Sequence, residues 1–308
     1  MNAQRSALPG GATLIFANPN AGRGRAALLA RCLDSFLRES GKDPRLFFQD
    51  PREIDVGEFK NASAAIVIGG DGTLRGVVRR LLAALSDVPP LLLVPMGTAN
   101  LIARHLRLPW SSCDPQMHIL RALDRPRLQT LDVAEGNGQA FLAMAGVGLD
   151  ASVIHAIHGQ RTGPITHLAY VAPILTALWR YEFVPLQVAV DGRIVFPAAP
   201  ALAFVANVGE YGAGFTLMPQ ARSDDGRLDI CVVPCNSGRQ ALQHWLRALA
   251  AGHLENRGVI SLRGRQVHIE SQGKVPVQFD GEPAGWTPLD IGLSPRKIQF
   301  IVAENAPA

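Results

Sequence analysis

Between residues 13 and 121, short apolar segments alternate with longer amphipathic segments, and this alternation limits the possible folds more than any other feature of the chain. The apolar segments have the length of strands that are buried on both faces. In the segment 25–39 the apolar residues recur at intervals of three and four, as a packed helix requires. Alternation of this kind predicts a parallel sheet with right-handed crossovers. The predicted strands are 13–17, 46–48, 64–68 and 91–94, and the predicted helices are 25–39, 74–85 and 98–106.

After residue 128 the pattern changes to short strands and tight turns. Gly136-Asn137-Gly138 and Asp191-Gly192 lie between apolar segments and predict hairpins. A β-rich sandwich with a few inserted helices is the fold that fits this pattern. We therefore expect an α/β domain over 1–129 and a sandwich domain over 130–308. The predicted strands are 131–135, 141–145, 184–190, 194–196, 201–205, 228–233, 259–262, 267–270, 275–279 and 298–302, and the predicted helices are 166–179 and 238–253.

Composition excludes several classes of protein. With 47% hydrophobic and 18% charged residues, the chain does not have the composition of a disordered protein. Cys231 and Cys235 flank an apolar run that is more typical of a buried strand than of a zinc site, and we expect no structural disulfides. The net charge of +4 favours anionic partners, but no long basic run indicates nucleic acid. No apolar stretch is long enough to span a bilayer, so we expect a cytoplasmic protein.

Three loops rich in Gly, Asn and Thr follow predicted strands of the first domain. In an open parallel sheet, ligands bind beyond the carboxyl ends of the strands, and there glycines let the backbone approach a phosphate closely. The loops therefore predict a phosphate-binding site, which makes the first domain a nucleotide-binding domain. The first loop includes Asn18 and Gly22, the second is Gly69-Gly70-Asp71-Gly72-Thr73, and the third includes Thr98 and Asn100.

Other motifs of nucleotide sites and hydrolases fit less well. The chain has no Gly-Lys-Ser/Thr, so a Walker A loop is excluded. The run 22–27 matches GxGxxA, which keeps a dinucleotide oxidoreductase as an alternative, although neither Asp43 nor Asp50 fits the expected acidic position well. No HExxH or GxSxG occurs. Five histidines have no metal-ligand partners at a useful spacing and are interpreted as surface or hydrogen-bonded residues: His105, His118, His155, His158 and His167.

At the GGDGT loop the sequence resembles the diacylglycerol-kinase catalytic-domain lipid kinases, which include sphingosine and ceramide kinases and are distantly related to NAD kinases. The resemblance continues in order along the chain. The matching segments are NPNAG at 18–22, PMGTANLIAR at 95–104, FLAMAGVGLD at 141–150, PQARSDDGRLD at 219–229 and FDGE at 279–282. Ordered matches in both halves make this resemblance far more specific than any single loop.

The resemblance implies an ATP- and Mg²⁺-dependent kinase acting on the hydroxyl of a diacylglycerol-like lipid, with its active site between the domains. It implies that Glu282 is the general base, and that Asp225 with the backbone carbonyls of Arg222 and Arg227 holds a structural Mg²⁺. Asp132 would join the same polar network. The residues that would contact ATP are Gly69, Gly70, Asp71, Gly72, Thr73, Leu74, Arg75 and Thr98.

The residues themselves agree on Glu282, because phosphoryl transfer to an alcohol needs a carboxylate that accepts the hydroxyl proton. Asp280 lies two residues away and is a second catalytic candidate. The alternative for Asp280-Gly281, and equally for Asp225-Gly226, is a simple turn. As partners we expect a lipid substrate, peripheral contact with an anionic membrane and no nucleic acid; a homodimer stays open as an alternative.

Two positions depart from the family pattern. Arg75 stands where Asn is common, and Leu101 stands where many members have Asp; Ala21 replaces a Ser with less consequence. These departures leave open a nucleotide- or lipid-binding regulatory protein that has lost catalysis. An NAD kinase-like phosphotransferase is the other alternative, because it shares the GGDGT loop.

Overall fold

The computed structural model describes residues 4–5, 8–108, 114–159, 176, 178–212, 216–251 and 258–302. The chain forms two compact units. The first contains the described residues up to 131 together with 297–302, and the second is Asp132–Arg296. The predicted boundary between residues 129 and 130 stays a prediction. Residues 297–302, however, group with the first unit, where Phe300 pairs in parallel with Leu91.

The first unit is built on a parallel sheet. A two-residue strand, β1 (Gln4–Arg5), pairs antiparallel with residues 127–128. The parallel strands are β2 (Ala12–Ala17), β3 (Asp43–Phe47), β4 (Ala62–Gly69) and β5 (Leu91–Pro95), and the helices are α1 (Arg25–Glu39), α2 (Asp71–Ala84), α3 (Leu101–His105) and α4 (Pro115–Asp124). The parallel strands run in the order β3, β2, β4, β5, and helices follow β2, β4 and β5.

Hydrophobic spacing explains these elements. The helix α1 buries Ala26, Ala30, Leu33 and Leu37, which lie on one face, against the sheet. The strand β4 is buried along almost its whole length, as expected of a central parallel strand. The helix α1 has the predicted bounds, whereas α3 begins at residue 101 rather than 98.

The second unit is a sandwich of two sheets. The strands from residue 127 onward are β6 (Arg127–Gly136), β7 (Gln139–Phe141), β8 (Met144–Val147), β9 (Pro185–Val190), β10 (Arg193–Ala206), β11 (Leu228–Pro234), β12 (Ile260–Gly264), β13 (Gln266–Ser271), β14 (Pro276–Phe279), β15 (Glu282–Trp286) and β16 (Leu289–Val302), and the helices are α5 (Leu149–Gly159) and α6 (Gly238–Ala251). One sheet of the sandwich contains β9, β13, β16 and the first part of β10, and the other contains β8, β11, β12, β14, β15 and the second part of β10. Val188 and Ile291 of one sheet share a single core with Val147, Ile230 and Val277 of the other.

The predicted fold class, an α/β domain followed by a β-rich sandwich with inserted helices, is confirmed. Both predicted hairpins form, and positive φ angles of 46° at Asn137 and 49° at Asp191 place these residues in the left-handed conformation that such turns require. Most of the predicted helix 166–179 lies outside the described residues. The predicted single strand 141–145 is wrong, because it divides into β7 and β8. Between these strands, backbone amides donate to a side chain, Asp280, instead of to a neighbouring strand.

Candidate active site

The three loops of the first unit are joined by backbone hydrogen bonds. They follow β2, β4 and β5, whose parallel arrangement places their carboxyl ends at the same edge of the sheet. The amide of Gly22 donates to the carbonyl of Met96 at 3.1 Å, and the amide of Met96 donates to the carbonyl of Gly69 at 2.8 Å. The third loop is thus hydrogen-bonded both to the first loop and to the second. The structure therefore brings together the loops that the sequence assigned to phosphate binding.

The second and third loops approach each other so closely that only glycine fits. A Cβ atom on Gly97 would lie 2.5 Å from the Cα of Gly70 and 2.8 Å from Oδ1 of Asn100. Asn100 holds the third loop from both sides: its Oδ1 accepts from the amide of Gly97 at 2.9 Å, and its Nδ2 donates to the carbonyl of Gly97 at 2.8 Å. Asn100 therefore shapes the loop with its side chain, and the glycines allow the contact.

The helices α1 and α2 both begin at this edge, and neither has a side-chain cap. Their N-cap residues are Gly24 and Gly70, whereas α4 is capped in the usual way by Asp114, which accepts from the amide of Met117. A helix N-terminus carries unsatisfied N–H groups and a partial positive charge, which together attract anions. Where the cap is a glycine, no side-chain oxygen competes with an incoming phosphate. This edge therefore has the chemistry of a phosphate site.

Arginines extend the positive charge along α2. Arg75 and Arg79 lie one turn apart on this helix. Partial burial lowers the pKa of Arg79, and the guanidinium groups of Arg75 and Arg52 lower it further, so each of these two charges lies close enough to repel that of Arg79. Asp71 links two helices, because its Oδ1 accepts from the amide of Ile102 at 3.4 Å. An anion bound near Arg75 would reduce this repulsion.

The other predicted nucleotide residues differ in exposure. Asn18 closes a local turn, since its Oδ1 accepts from the amide of Asn20 at 3.0 Å. Gly72 and Thr98 are exposed, whereas Thr73 lies over Gly69, where a Cβ would come 2.5 Å from the Thr73 hydroxyl. Leu74 is completely buried in the core, so its side chain serves packing.

In the second unit, Asp280 and Gly281 form a two-residue turn, and Glu282 follows it directly. The turn joins β14 to β15, and Asp280 and Gly281 have φ angles of 51° and 78°. The carboxylate of Asp280 is buried and accepts three backbone N–H bonds, from Leu142 at 2.9 Å, Ala143 at 2.8 Å and Met144 at 2.9 Å. Asp280 and Gly281 therefore form a hairpin turn in this structure. Asp280 uses both carboxylate oxygens to hold the segment between β7 and β8.

Glu282 has a different environment, although it lies only two residues away. Its side chain is 18% exposed, and its Oε2 lies 3.3 Å from Nδ1 of His158 on α5. His158 was interpreted from the sequence as a surface or hydrogen-bonded residue. No local motif could have linked it to Glu282, because the two residues meet only through the packing of α5 on β15. Glu282 is thus a partly accessible carboxylate with a titratable neighbour.

A buried carboxyl group supports the same turn. Asp150, at the start of α5, accepts hydrogen bonds from the hydroxyl of Tyr211 and from Nε2 of Gln278, the latter at 2.9 Å. Oε1 of the same Gln278 side-chain amide accepts from the backbone amide of Gly281 at 2.8 Å. Burial raises the pKa of Asp150, and the two hydrogen bonds oppose that rise. Sequence reasoning did not single out Asp150, whose partners come from distant segments.

The turn at Asp225 is neutralised by an arginine. One oxygen of Asp225 accepts from the amide of Arg227 at 3.1 Å, and the other contacts the guanidinium of Arg263. Arg263 also pairs with Asp229 at 3.2 Å, and Asp132 accepts from the amide of Gly226 at 2.8 Å. No group of three or more metal-ligating side chains occurs among the described residues. Asp225 is thus paired with a guanidinium in this structure. Its expected role in holding a Mg²⁺, together with the backbone carbonyls of Arg222 and Arg227, stays a prediction.

The comparisons with known proteins agree with this architecture. The diacylglycerol kinase catalytic domain matches residues 12–135, and the YegS C-terminal NAD kinase beta sandwich-like domain matches residues 143–302. The chain is 31% identical to a "Probable lipid kinase YegS-like" of Pseudomonas aeruginosa, over 92% of this chain and 90% of that protein. It is 28% identical to a "Diacylglycerol kinase" of Mycobacterium tuberculosis, over 94% and 95%.

A solved structure, a diacylglycerol kinase from Bacillus anthracis, superposes with a TM-score of 0.72 at 26% identity and covers 96% of this chain and 97% of that one. The chain belongs to the family of YegS-like kinases with a diacylglycerol kinase catalytic domain. The family resemblance that the sequence motifs indicated is therefore confirmed. Within the described residues, no helix is long and apolar enough to cross a membrane.

Proposed function

We propose that this protein is an ATP-dependent lipid kinase that transfers the γ-phosphate of MgATP to the hydroxyl of a diacylglycerol-like lipid. The observation that carries the proposal is the cluster of three hydrogen-bonded loops at which α1 and α2 begin without side-chain caps. Such an edge binds phosphate through backbone N–H groups. The family supports a kinase, and the names of the relatives support a lipid acceptor.

The first unit supplies the nucleotide site. The backbone of Gly22, Gly69, Gly70 and Gly72 would surround the phosphates, and Thr73, Thr98 and Asn100 would border them. Arg75 would neutralise part of the phosphate charge, as a guanidinium pairs well with phosphate oxygens. Mg²⁺ enters as the counter-ion of the nucleotide substrate and lowers the charge of the transferring group.

The second unit supplies the proton acceptor. The acceptor hydroxyl oxygen attacks the γ-phosphorus, the bond from that phosphorus to the bridging oxygen of ADP breaks, and Glu282 takes the hydroxyl proton. His158, 3.3 Å from Glu282, can orient this carboxylate. Both oxygens of Asp280 accept backbone N–H bonds, so we assign it a positioning role: it fixes the backbone beside the base.

Transfer of label from γ-labelled ATP to a total lipid extract, with the product identified by mass, tests the proposal. We expect one labelled phospholipid and no labelled NADP when NAD⁺ replaces the lipid. Label in NADP would support the NAD kinase alternative. ATP binding without transfer to any acceptor would favour a regulatory protein and contradict the proposed kinase.

A further inference from the structure

The helix α6 (Gly238–Ala251) of the second unit has two apolar sides, and only one of them is buried. Ala241 and Ala248 pack into a core cluster beneath the helix. Leu242, Trp245 and Leu246 are instead 40%, 49% and 52% exposed. Their spacing of three and four residues places them in one stripe along the helix. We call this stripe the α6 patch; the packing of the unit does not account for it.

A fourth exposed apolar side chain, that of Trp179, belongs to a different segment, which contacts the first residue of α6. Trp179 is 87% exposed, and its neighbour Leu178 packs on the core beneath α6. The backbones are in close contact, since a Cβ on Gly238 would lie 1.7 Å from the carbonyl oxygen of Leu178. The residue next to Trp179 therefore contacts the N-terminal end of α6, and Trp179 itself is exposed.

The charges on α6 are of one sign. Arg239 lies one turn before Leu242, and Arg247 follows Leu246; both arginines are exposed, and the helix contains no Asp or Glu. Long arginine side chains can lie along an apolar surface and keep the guanidinium at a polar boundary. A helix with exposed Trp and Leu beside arginines has the composition of one that lies in the interface of an anionic bilayer.

We propose that the α6 patch docks this protein on the surface of an anionic lipid bilayer. Tryptophan and leucine enter the boundary between headgroups and acyl chains, and Arg239 and Arg247 contact lipid phosphates. At 14 residues the helix is too short to span the bilayer and lies in its plane. A second copy of the chain fits less well, because a stable protein interface buries about 800 Å² on each partner and this stripe contains three large side chains. The proposal rests on the proposed function, which places the acceptor in a membrane.

Sedimentation of the full-length protein with vesicles tests the docking surface. The parent is mixed with neutral phosphatidylcholine vesicles or with vesicles containing phosphatidylglycerol. We expect stronger binding to the anionic vesicles and loss of binding in high salt. The double variant Trp245→Ser, Leu246→Ser should bind at least tenfold more weakly, and Arg239→Gln should weaken binding about fivefold, as expected for one surface basic residue.

A matched control and a second activity assay separate the possible outcomes. Leu28→Ser changes a leucine that is 67% exposed on α1 of the first unit and should leave vesicle binding unchanged. Activity on a short-chain acceptor dispersed as monomers should be the same in parent and double variant, whereas activity on vesicle-borne acceptor should fall with binding.

Equal vesicle binding by parent and double variant overturns the docking surface, whatever the activity. If the parent is a dimer in solution and the double variant a monomer, while vesicle binding is unchanged, the α6 patch is an interface between two copies of the chain, and the proposal is also overturned. If the parent binds vesicles through the α6 patch but transfers phosphate to no lipid, the docking surface is retained and the proposed function is contradicted.

Discussion

The candidate nucleotide site in the first unit and the candidate proton acceptor in the second unit are built from different kinds of atoms. In the first unit, backbone atoms form the loop cluster: amides donate to carbonyls, and Gly70 and Gly97 are in direct contact. In the second unit, side chains form the site: the Asp280 carboxylate holds a loop, and Glu282 faces His158. A backbone site depends on which positions are glycine, whereas a side-chain site depends on single functional groups.

This difference explains why the family departures at Arg75 and Leu101 leave the loop cluster intact. Neither residue is a partner in the backbone hydrogen bonds from Gly22 to Met96 and from Met96 to Gly69. Leu101 is buried in the first turn of α3, and the loop before it is fixed by Asn100. Substitutions should therefore have large effects at glycines in the first unit and at carboxylates in the second.

The largest expected effect is that of Glu282→Gln, which keeps the size of the side chain but cannot accept a proton. General-base catalysis is worth roughly 10²–10⁴-fold, so kcat should fall by about that factor while ATP affinity and lipid KM change little. Steady-state kinetics measure the split. Glu135→Gln, at an exposed position of β6, serves as the matched control and should keep parental turnover. Near-parental turnover in Glu282→Gln would remove this residue as the base.

The second prediction concerns the backbone contact in the first unit. In Gly97→Ala the new methyl group would collide with the Cα of Gly70, and overpacking of this kind costs about 1–3 kcal/mol. We expect ATP affinity, measured by calorimetry, to fall about tenfold or more. Gly76→Ala makes the same chemical change on α2, where the nearest atom is 4.0 Å away, and should leave ATP affinity unchanged. Equal affinities in the two variants would show that the contact is unimportant for the nucleotide.

The third prediction separates the two carboxylates of the hairpin. Asp280→Asn replaces an acceptor oxygen by an NH₂ group and leaves at least one buried amide without a partner, which costs about 1–3 kcal/mol. The free energy of unfolding in urea should fall by that amount, whereas Glu282→Gln should change it by less than about 0.5 kcal/mol. A stable Asp280→Asn variant with strongly reduced turnover would instead indicate a direct role of Asp280 in proton transfer.

The local patterns predicted the parts of this structure that depend on local periodicity and turn chemistry. Helix α1, the central strands and the Asn137 and Asp191 hairpins follow from apolar spacing and from residues that tolerate positive φ. The convergence of the three loops follows from the parallel sheet alone. The assignment of the family came from ordered motifs in both halves rather than from any single loop.

Contacts between distant segments could not be read in the same way. Asp280 binds amides about 140 positions earlier in the chain, which is why β7 and β8 are separate strands. His158 reaches Glu282, and Asp150 reaches Tyr211 and Gln278, only after α5 has packed on the sheet. Arg263, on β12, reaches Asp225 in the same way. Side-chain partners of this kind have no spacing signal, whereas the backbone site could be predicted from its glycines.

The smallest expected effect concerns Arg263, which pairs with Asp225. If Arg263 is the cation of the Asp225 turn, the melting temperature of the parent should not respond to EDTA or to added Mg²⁺. Arg263→Met should lose roughly 1 kcal/mol, as expected for a partly exposed ion pair, and should then be stabilised by Mg²⁺. The reason is that Asp225 and Asp229 would face each other without a cation, and Oδ2 of Asp229 is already buried without a hydrogen-bond partner within the described part of the chain. Arg265→Met is the control: this arginine directly follows β12, is exposed, and its substitution should show neither effect.

Stabilisation of the parent by Mg²⁺, reversed by EDTA, would instead support the metal site that the sequence predicts at Asp225. In that case the second unit would combine backbone carbonyls with side chains, and the contrast between the two units would be correspondingly weaker.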